Sequence, residues 1–235
     1  MWPFAKKISL IESGLLDGWT DWHCHILPGV DDGIPTMEAA LEALHAYAEL
    51  GIREVWLTPH IMEDCPNTPD GLRSRFEELQ QAWDGPVVLH LAAEHMLDAL
   101  FEARFKAGAL LPIGPAGDRL LVETSCYNPP IHLHALLERI QDKGFRPLLA
   151  HAERYFYMKD ADYRRLREMG VEFQLNIPSL AGAYGEVVAH KARKLLKAGY
   201  YSFTGSDLHH LQSFRSALSV PVQSTLLKSL SAPSL

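Results

Sequence analysis

The strongest constraint on this chain is a rhythm of short apolar, β-rich runs alternating with amphipathic runs of helical period. The strand runs are Thr20–Leu27, Glu54–Ile61, Val87–His95, Arg119–Ser125, Arg146–Arg154, Val171–Pro178 and Ser202–His209. Helices fit between them. The spacing predicts one over Met37–Leu50, where Thr36 can cap the start, Glu38 suits the first turn and Gly51 ends it. Its Met37, Ala40, Leu41, Leu44 and Tyr47 share one face. A second is predicted over Ile131–Lys143, after Pro129-Pro130, with Leu133, Leu136, Leu137 and Ile140 on its apolar side. A third is predicted over Ala183–Ala198, with Val187, Val188, Leu195 and Leu196. Strands alternating with helices imply a parallel sheet. The expected fold is α/β: a distorted seven-stranded (β/α)7 TIM-like barrel, closed or nearly so, with a doubly wound open sheet as the alternative. One domain over residues 1–235 suits this length. Residues 1–19 are read as an N-terminal arm, loosely packed around Trp2 and Phe4, and 211–235 as a C-terminal helix or tail.

Composition narrows the function. Hydrophobic residues make up 47% of the chain, enough to bury a core and exclude dominant disorder. The net charge of −7 argues against a nucleic-acid surface. No run reaches the roughly 18 apolar residues that span a bilayer, and Glu12 and Asp17 interrupt any signal-like start. Three cysteines make no disulfide framework, which fits a reducing, cytoplasmic compartment.

Ionisable residues fall at the carboxyl ends of the strand runs. His23 and His25 close the first, His60 the second, Glu94 the third, Glu123 the fourth, His151 the fifth, and Asp207 and His209 the last. In a parallel barrel those ends meet on one rim, where active sites are built. In His-x-His on a strand both rings face one way and can grip one ion, and Asp207-x-His209 repeats the spacing. Mixed imidazole and carboxylate donors suit Zn, Mn or Fe, and crowded carboxylates need cations between them. His132-x-His134 has the same spelling but opens a helix, where residues two apart diverge, so it is read as solvent-facing. His45, His90, His190 and His210 are read as surface or packing residues, and His95 as a residue that can back Glu94.

These residues resemble the PHP (polymerase and histidinol phosphatase) superfamily. Within it they are similar to the bacterial metal-dependent tyrosine-protein phosphatases of capsular and exopolysaccharide gene clusters. The segments that carry the resemblance are DWHCHILPGVDDG from Asp21 to Gly33, Thr58-Pro-His60, Glu94, Glu123, HAERY from His151 to Tyr155, and Ser206-Asp-Leu-His209. The resemblance implies three divalent ions, often manganese. His23, His25, Glu94 and Asp207 would hold the first. Glu94 would bridge to a second, shared with Glu123 and His151. Asp32, or its neighbour Asp31, would hold the third with His60 and His209. Arg154 matches the arginine placed against the substrate phosphate, and Asp207 or an imidazole such as His151 would handle the leaving phenolate. The implied substrate is phosphotyrosine in a protein, on the tail of a bacterial tyrosine kinase, with Trp22, Trp56, Tyr155 and Tyr157 as aromatic candidates near the rim. Two features depart from the pattern: Ala152 stands where the family has Pro, and the segment after Ser213 matches nothing, leaving Arg215 as a second arginine candidate.

Other chemistries fare less well. A thiolate phosphatase needs Arg after Cys and five intervening residues. Val30, Gly71 and His132 occupy those positions after Cys24, Cys65 and Cys126. Cys24 is expected to point away from its histidine neighbours. A metal-dependent C–N hydrolase would show a lysine at a strand end, and a silent metal-binding adaptor would lack a ligand. A phosphoesterase acting on a small ester such as histidinol phosphate is the alternative within the superfamily.

Overall fold

The computed structural model describes residues 6–230. In chain order the elements are β1 (Lys7–Ile8), β2 (Thr20–Cys24), α1 (Met37–Glu49), β3 (Glu54–Leu57), β4 (His60–Ile61), α2 (Pro69–Ala82), β5 (Val88–Leu91), β6 (Glu94–Met96), α3 (Phe101–Lys106), β7 (Arg119–Glu123), α4 (Leu133–Asp142), β8 (Arg146–Leu149), α5 (Asp160–Glu168), β9 (Glu172–Asn176), α6 (Ile177–Leu180), α7 (Glu186–Lys197), β10 (Tyr201–Gly205), α8 (Leu211–Leu218), β11 (Val222–Gln223) and α9 (Ser224–Leu230). Every strand pair is parallel except β1 with β11.

The ladders do not close into a barrel. They form a six-stranded sheet, β10-β9-β8-β7-β6-β4, and a three-stranded sheet, β2-β3-β5. The split has a local cause. Two predicted strands are each broken in mid-run, at Thr58-Pro59 between β3 and β4 and at Ala92-Ala93 between β5 and β6. Pro59 has no N–H for a ladder, and the Thr58 hydroxyl bonds both the N–H and the carbonyl of Cys24. The chain therefore changes partner there. On the far side, Ser206 and Asp207 donate N–H bonds to the His23 carbonyl, and His25 donates to Leu208. These are loop bonds, with one isolated Cys24–Leu208 bridge.

The helices follow their patterns with shifted ends. Thr36 caps α1 by accepting from the Ala39 N–H, and Ala40, Ala43, Leu44 and Tyr47 are buried. Helix α4 starts at Leu133, two residues late, because His132 takes a left-handed conformation before it (φ 92°). Helix α7 starts at Glu186, behind Gly185. Its Val187 faces solvent rather than the core. Helix α2 was not foreseen: Thr68 caps it and Pro69 opens it, but only Leu72 and Leu79 are buried, so its apolar stripe is thin.

The two ends of the described chain pack on each other. β1 pairs with β11, the Leu10 N–H bonds Leu218, and Leu10 and Leu16 are buried. The expected loose arm is therefore docked from Lys7 onward, while Trp2 and Phe4 lie outside the described residues. Among the described residues no helix is long and apolar enough to cross a membrane.

Candidate metal centre

Strand ends deliver the site. His23 lies on β2 and His25 just beyond it. His60 and Glu94 open β4 and β6, the short strands that follow the two breaks, and Glu123 closes β7. His151 sits in the turn after β8, and Asp207 and His209 follow β10. The structure brings all these side chains, with Asp32, into one cluster. Three overlapping groups offer donor atoms within 4.8 Å of one another: His23, His25 and Asp207; His60, Glu94 and Glu123; and His25, Asp32, His60 and His209.

Glu94 is central. Its Oε2 lies 3.1 Å from His23 Nε2, 3.4 Å from His25 Nε2 and 3.2 Å from His60 Nδ1. Its Oε1 lies 3.0 Å from His151 Nε2. Asp207 Oδ1 is 3.6 Å from His23 Nε2 and 3.4 Å from His25 Nε2. His60 stands between groups, with Nδ1 3.0 Å from Glu123 and Nε2 3.6 Å from Asp32. The two neighbouring aspartates have different surroundings. Asp31 accepts from the His25 ring and from the His60 and Gly33 N–H groups, so its oxygens are occupied. Asp32 is the aspartate that reaches His60 and His209.

The donor set fits divalent cations. Both Glu94 oxygens, Glu123 Oε1, His60 Nδ1 and His151 Nδ1 are buried without a hydrogen-bond partner. Buried carboxylate oxygens left bare are costly, and converging on imidazole lone pairs they make a nitrogen–oxygen site of the kind Zn, Mn or Fe takes. Burial opposes charge on Glu94, yet the neighbouring His23, His151 and His25 rings hold its pKa well below the usual range. Burial likewise opposes charge on His151, but Glu123 and Glu94 hold its pKa at about 10. Protons and cations compete for these lone pairs, so metal binding here releases protons.

A family model described as capsular polysaccharide synthesis, CpsB/CapC, matches residues 19–225, which include every one of these residues. The chain belongs to the CpsB/CapC family. It is 28% identical over 199 residues to the tyrosine-protein phosphatase YwqE of Bacillus subtilis (strain 168), covering 82% of this chain and 78% of YwqE. It is 27% identical over 206 residues to the tyrosine-protein phosphatase CpsB of Streptococcus pneumoniae, covering 82% and 84%. A chain from the crystal structures of YwqE and CpsB, described as metal-dependent tyrosine phosphatases, superposes with a TM-score of 0.77 at 27% identity over 92% of both chains.

In this CpsB/CapC chain the centre also rests on supporting residues, some of which, Gln174, Asn176 and Tyr184, the sequence did not single out. Gln174 Oε1 accepts from the His151 N–H at 2.7 Å and lies 3.1 Å from His23 Nδ1. A donor proton on His23 Nδ1 leaves Nε2 free to ligate. Asp31 does the same for His25, at 2.8 Å. Burial would raise the Asp31 pKa, but the bond to His25 brings it to about 2. Asp21 accepts from the His23 and Ser206 N–H groups and from the Tyr47 hydroxyl, tying β2 to the loop of Asp207. Burial lifts its pKa to about 6 against those bonds. Asn176 and Tyr184 donate to Asp207 Oδ2, at 2.7 and 3.2 Å, and Arg154 Nη1 donates to the same oxygen at 2.7 Å. The alternation Gln174-x-Asn176 at a strand end was the available signal, and it carries the same logic as His23-x-His25. Two ligand candidates have left-handed backbone, His151 (φ 34°) and Asp207 (φ 52°). Such strain concentrates at functional sites.

Several expectations change. Trp22 and Trp56 stack on each other, and Phe203 packs edge-on against Trp22, inside the sheet. Tyr155 is fully buried. The exposed aromatic pair is instead Tyr127 and Phe156, stacked at 5.3 Å. Arg215 reaches Glu49 at the far end of α1. Cys24 is buried, its thiol against the Trp56 carbonyl. His132 is exposed but His134 is half-buried. His95 faces the core, bonded to Leu121 and Leu111, and is no part of the cluster.

Proposed function

We propose that this chain is a cytoplasmic, metal-dependent protein-tyrosine phosphatase that acts on the tail of a bacterial tyrosine kinase controlling capsule or exopolysaccharide synthesis. The observation that carries the reading is the set of buried, unpartnered carboxylate and imidazole atoms converging beside Arg154. The fold is read as a distorted seven-stranded barrel, with β3–β4 and β5–β6 each counted as one interrupted strand.

Three divalent ions, manganese by preference, are assigned to this cluster in sets that overlap the three donor groups but place His151, in contact with Glu94 and Glu123, where His60 stands in the second. His23, His25, Glu94 and Asp207 would hold one; Glu94, Glu123 and His151 a second; Asp32, His60 and His209 the third. Bound there, the ions supply Lewis acidity toward phosphoryl oxygens and acidify water. The protein's own groups do the rest. Arg154 stands at the edge of the cluster with one guanidinium nitrogen on Asp207 and the others free to meet phosphate oxygens. Burial opposes its charge, but Asp207 more than restores it, so it stays cationic. Gln174 and Asp31 set the ring tautomers of His23 and His25. Asp207 is not the proton donor in this reading. One of its oxygens faces the imidazoles and the other accepts three bonds, and its pKa is held well below normal by His25 and His23 against burial. Phenolate is a fair leaving group and departs without it.

The test is metal analysis with turnover of a phosphotyrosine peptide, for wild type, chelated protein and His151→Ala. The expected result is ion content matching the three groups, with activity lost on chelation and in the variant. Full turnover by metal-free protein would falsify the mechanism. Strong preference for histidinol phosphate over the peptide would move the substrate to a small ester.

A further inference from the structure

A cavity of about 390 Å³ opens beside the metal cluster. Asp32, Arg154, Asp207 and His209 line it, and so do Tyr184 and Phe214. Tyr184 makes two contacts that converge on one functional unit. Its hydroxyl donates to Asp207 Oδ2 at 3.2 Å, and its ring lies 4.7 Å below the Arg154 guanidinium carbon. Arg154 itself bonds the same Asp207 oxygen. Arg154 is thus held on its edge by a carboxylate and on its face by an aromatic ring, which leaves it one orientation.

The loop is built to put Tyr184 there. It lies between α6 and α7, and its flanking glycines, Gly182 and Gly185, both take positive φ (86° and 87°). Three backbone bonds close the loop on itself: Gly182 to Ser179, Ala183 to Pro178 and Gly185 to Gly182. The start of α6 is held in turn by buried Glu153, which accepts from the Asn176 N–H and the Ser179 hydroxyl. Glu153 adjoins Arg154, so the arginine and the loop that frames it share one anchor.

We infer that Tyr184 is a positioning residue that aims the Arg154 guanidinium at a phosphate-type anion entering this cavity. The inference rests on the proposed phosphatase reading for the role of Arg154. It makes Tyr184 a determinant of anion affinity, separate from the metal ligands. Removal of the ring frees Arg154 to swing, whereas removal of the hydroxyl leaves the ring in place as a platform.

The experiment uses metal-loaded full-length protein, with inorganic phosphate as the probe. Binding is followed by calorimetry, and steady-state kinetics are run on a phosphotyrosine peptide with wild type, Tyr184→Leu and Tyr184→Phe. In Tyr184→Leu, phosphate affinity is expected to fall about tenfold and KM to rise by the same factor, with kcat changed less than about threefold and metal content unchanged. Tyr184→Phe is expected to recover most of that loss, to within about threefold of wild type. If Tyr184→Leu does not fold, Tyr184→Met, which also removes the ring, carries the test with the same expected fall in phosphate affinity. Wild-type phosphate affinity in folded, metal-replete Tyr184→Leu overturns the inference and leaves the phosphatase reading intact. Phosphate binding that depends on Tyr184 in a protein inert toward phosphotyrosine keeps the inference and removes the substrate assignment. A wild-type protein that binds no phosphate overturns both.

Discussion

The inner and outer edges of the centre are built differently. At the inner edge His23, His25 and Glu94 are fully buried, and each ring is braced by a protein acceptor, Gln174 or Asp31. At the outer edge the Asp32 side chain is 71% exposed and stands near His60 and His209 with no hydrogen-bond partner among the described residues to brace it. The inner donors are preorganised, so they hold their geometry whether or not a cation is there. The outer donors gain theirs from the ion they bind. Ion affinity should therefore fall from the inside outward.

The largest break in that gradient is Glu94→Gln. Removing an outer partner of a metal ligand costs about 10–100-fold, so losing the carboxylate proposed to bridge two ions, which touches His23, His60 and His151, should cost more, about a thousandfold in kcat. Metal analysis should show loss of more than one ion. Retention of full ion content with Gln at this position would break the assignment of Glu94 as the shared ligand.

The residue after Glu94 sharpens the contrast between charge that is compensated and charge that is not. His95 is as buried as Glu94 but faces a backbone carbonyl and an N–H instead of carboxylates. Burial depresses its pKa to about 4. A neutral imidazole in the fold and an ordinary one in the unfolded chain mean that the unfolded state binds the extra proton. Stability is therefore present above the unfolded value and is lost as pH falls toward 4, by about 3 kcal/mol in all. Urea unfolding of metal-free protein at pH 7.5 and 4.5, wild type against His95→Gln, isolates this term. A difference between the two proteins that does not change with pH would break it.

Next in size is Asp31→Asn. The amide keeps the shape but has a single acceptor oxygen: with that oxygen toward the Gly33 N–H, its NH2 group meets the His60 N–H and the His25 ring, and the carboxylate that polarised His25 is gone. The expected cost is about 10–100-fold in metal affinity or activity, with the fold retained. Wild-type affinity in a metal titration would show that the inner edge is not tuned through this bond.

The same contrast explains what was legible in the sequence. The ligand candidates could be read because each chemical residue sits at the end of an apolar run, and strand ends are visible in one dimension. His23-x-His25 and His132-x-His134 look identical as text, and only the strand before one and the Pro129-Pro130 breaker before the other separate them. The supports were harder. Gln174-x-Asn176 offers only a neutral echo of the His-x-His spacing and Tyr184 no signal at all, and their partners lie 23 to 31 residues away or further. The split into two sheets is not legible because continuous apolar patterns run through Thr58-Pro59 and Ala92-Ala93, where the backbone changes partner. Helix α2 was missed because its stripe is too thin to register, although its cap and proline were in view.

The smallest expected effect is at the outer edge. Asp32 has no hydrogen-bond partner among the described residues, so Asp32→Asn disturbs no brace and leaves His60 and His209 in place. What changes is one negative charge at the mouth of the centre. Activity should fall by less than about tenfold and return on raising the metal concentration, because a weakened site refills by mass action. Glu94→Gln should show no such rescue, since its loss removes the geometry along with the charge. The pair of metal titrations therefore reads the gradient directly. If Asp32→Asn cannot be rescued while Glu94→Gln can, the preorganised edge is the outer one, and the order argued from burial and bracing is reversed.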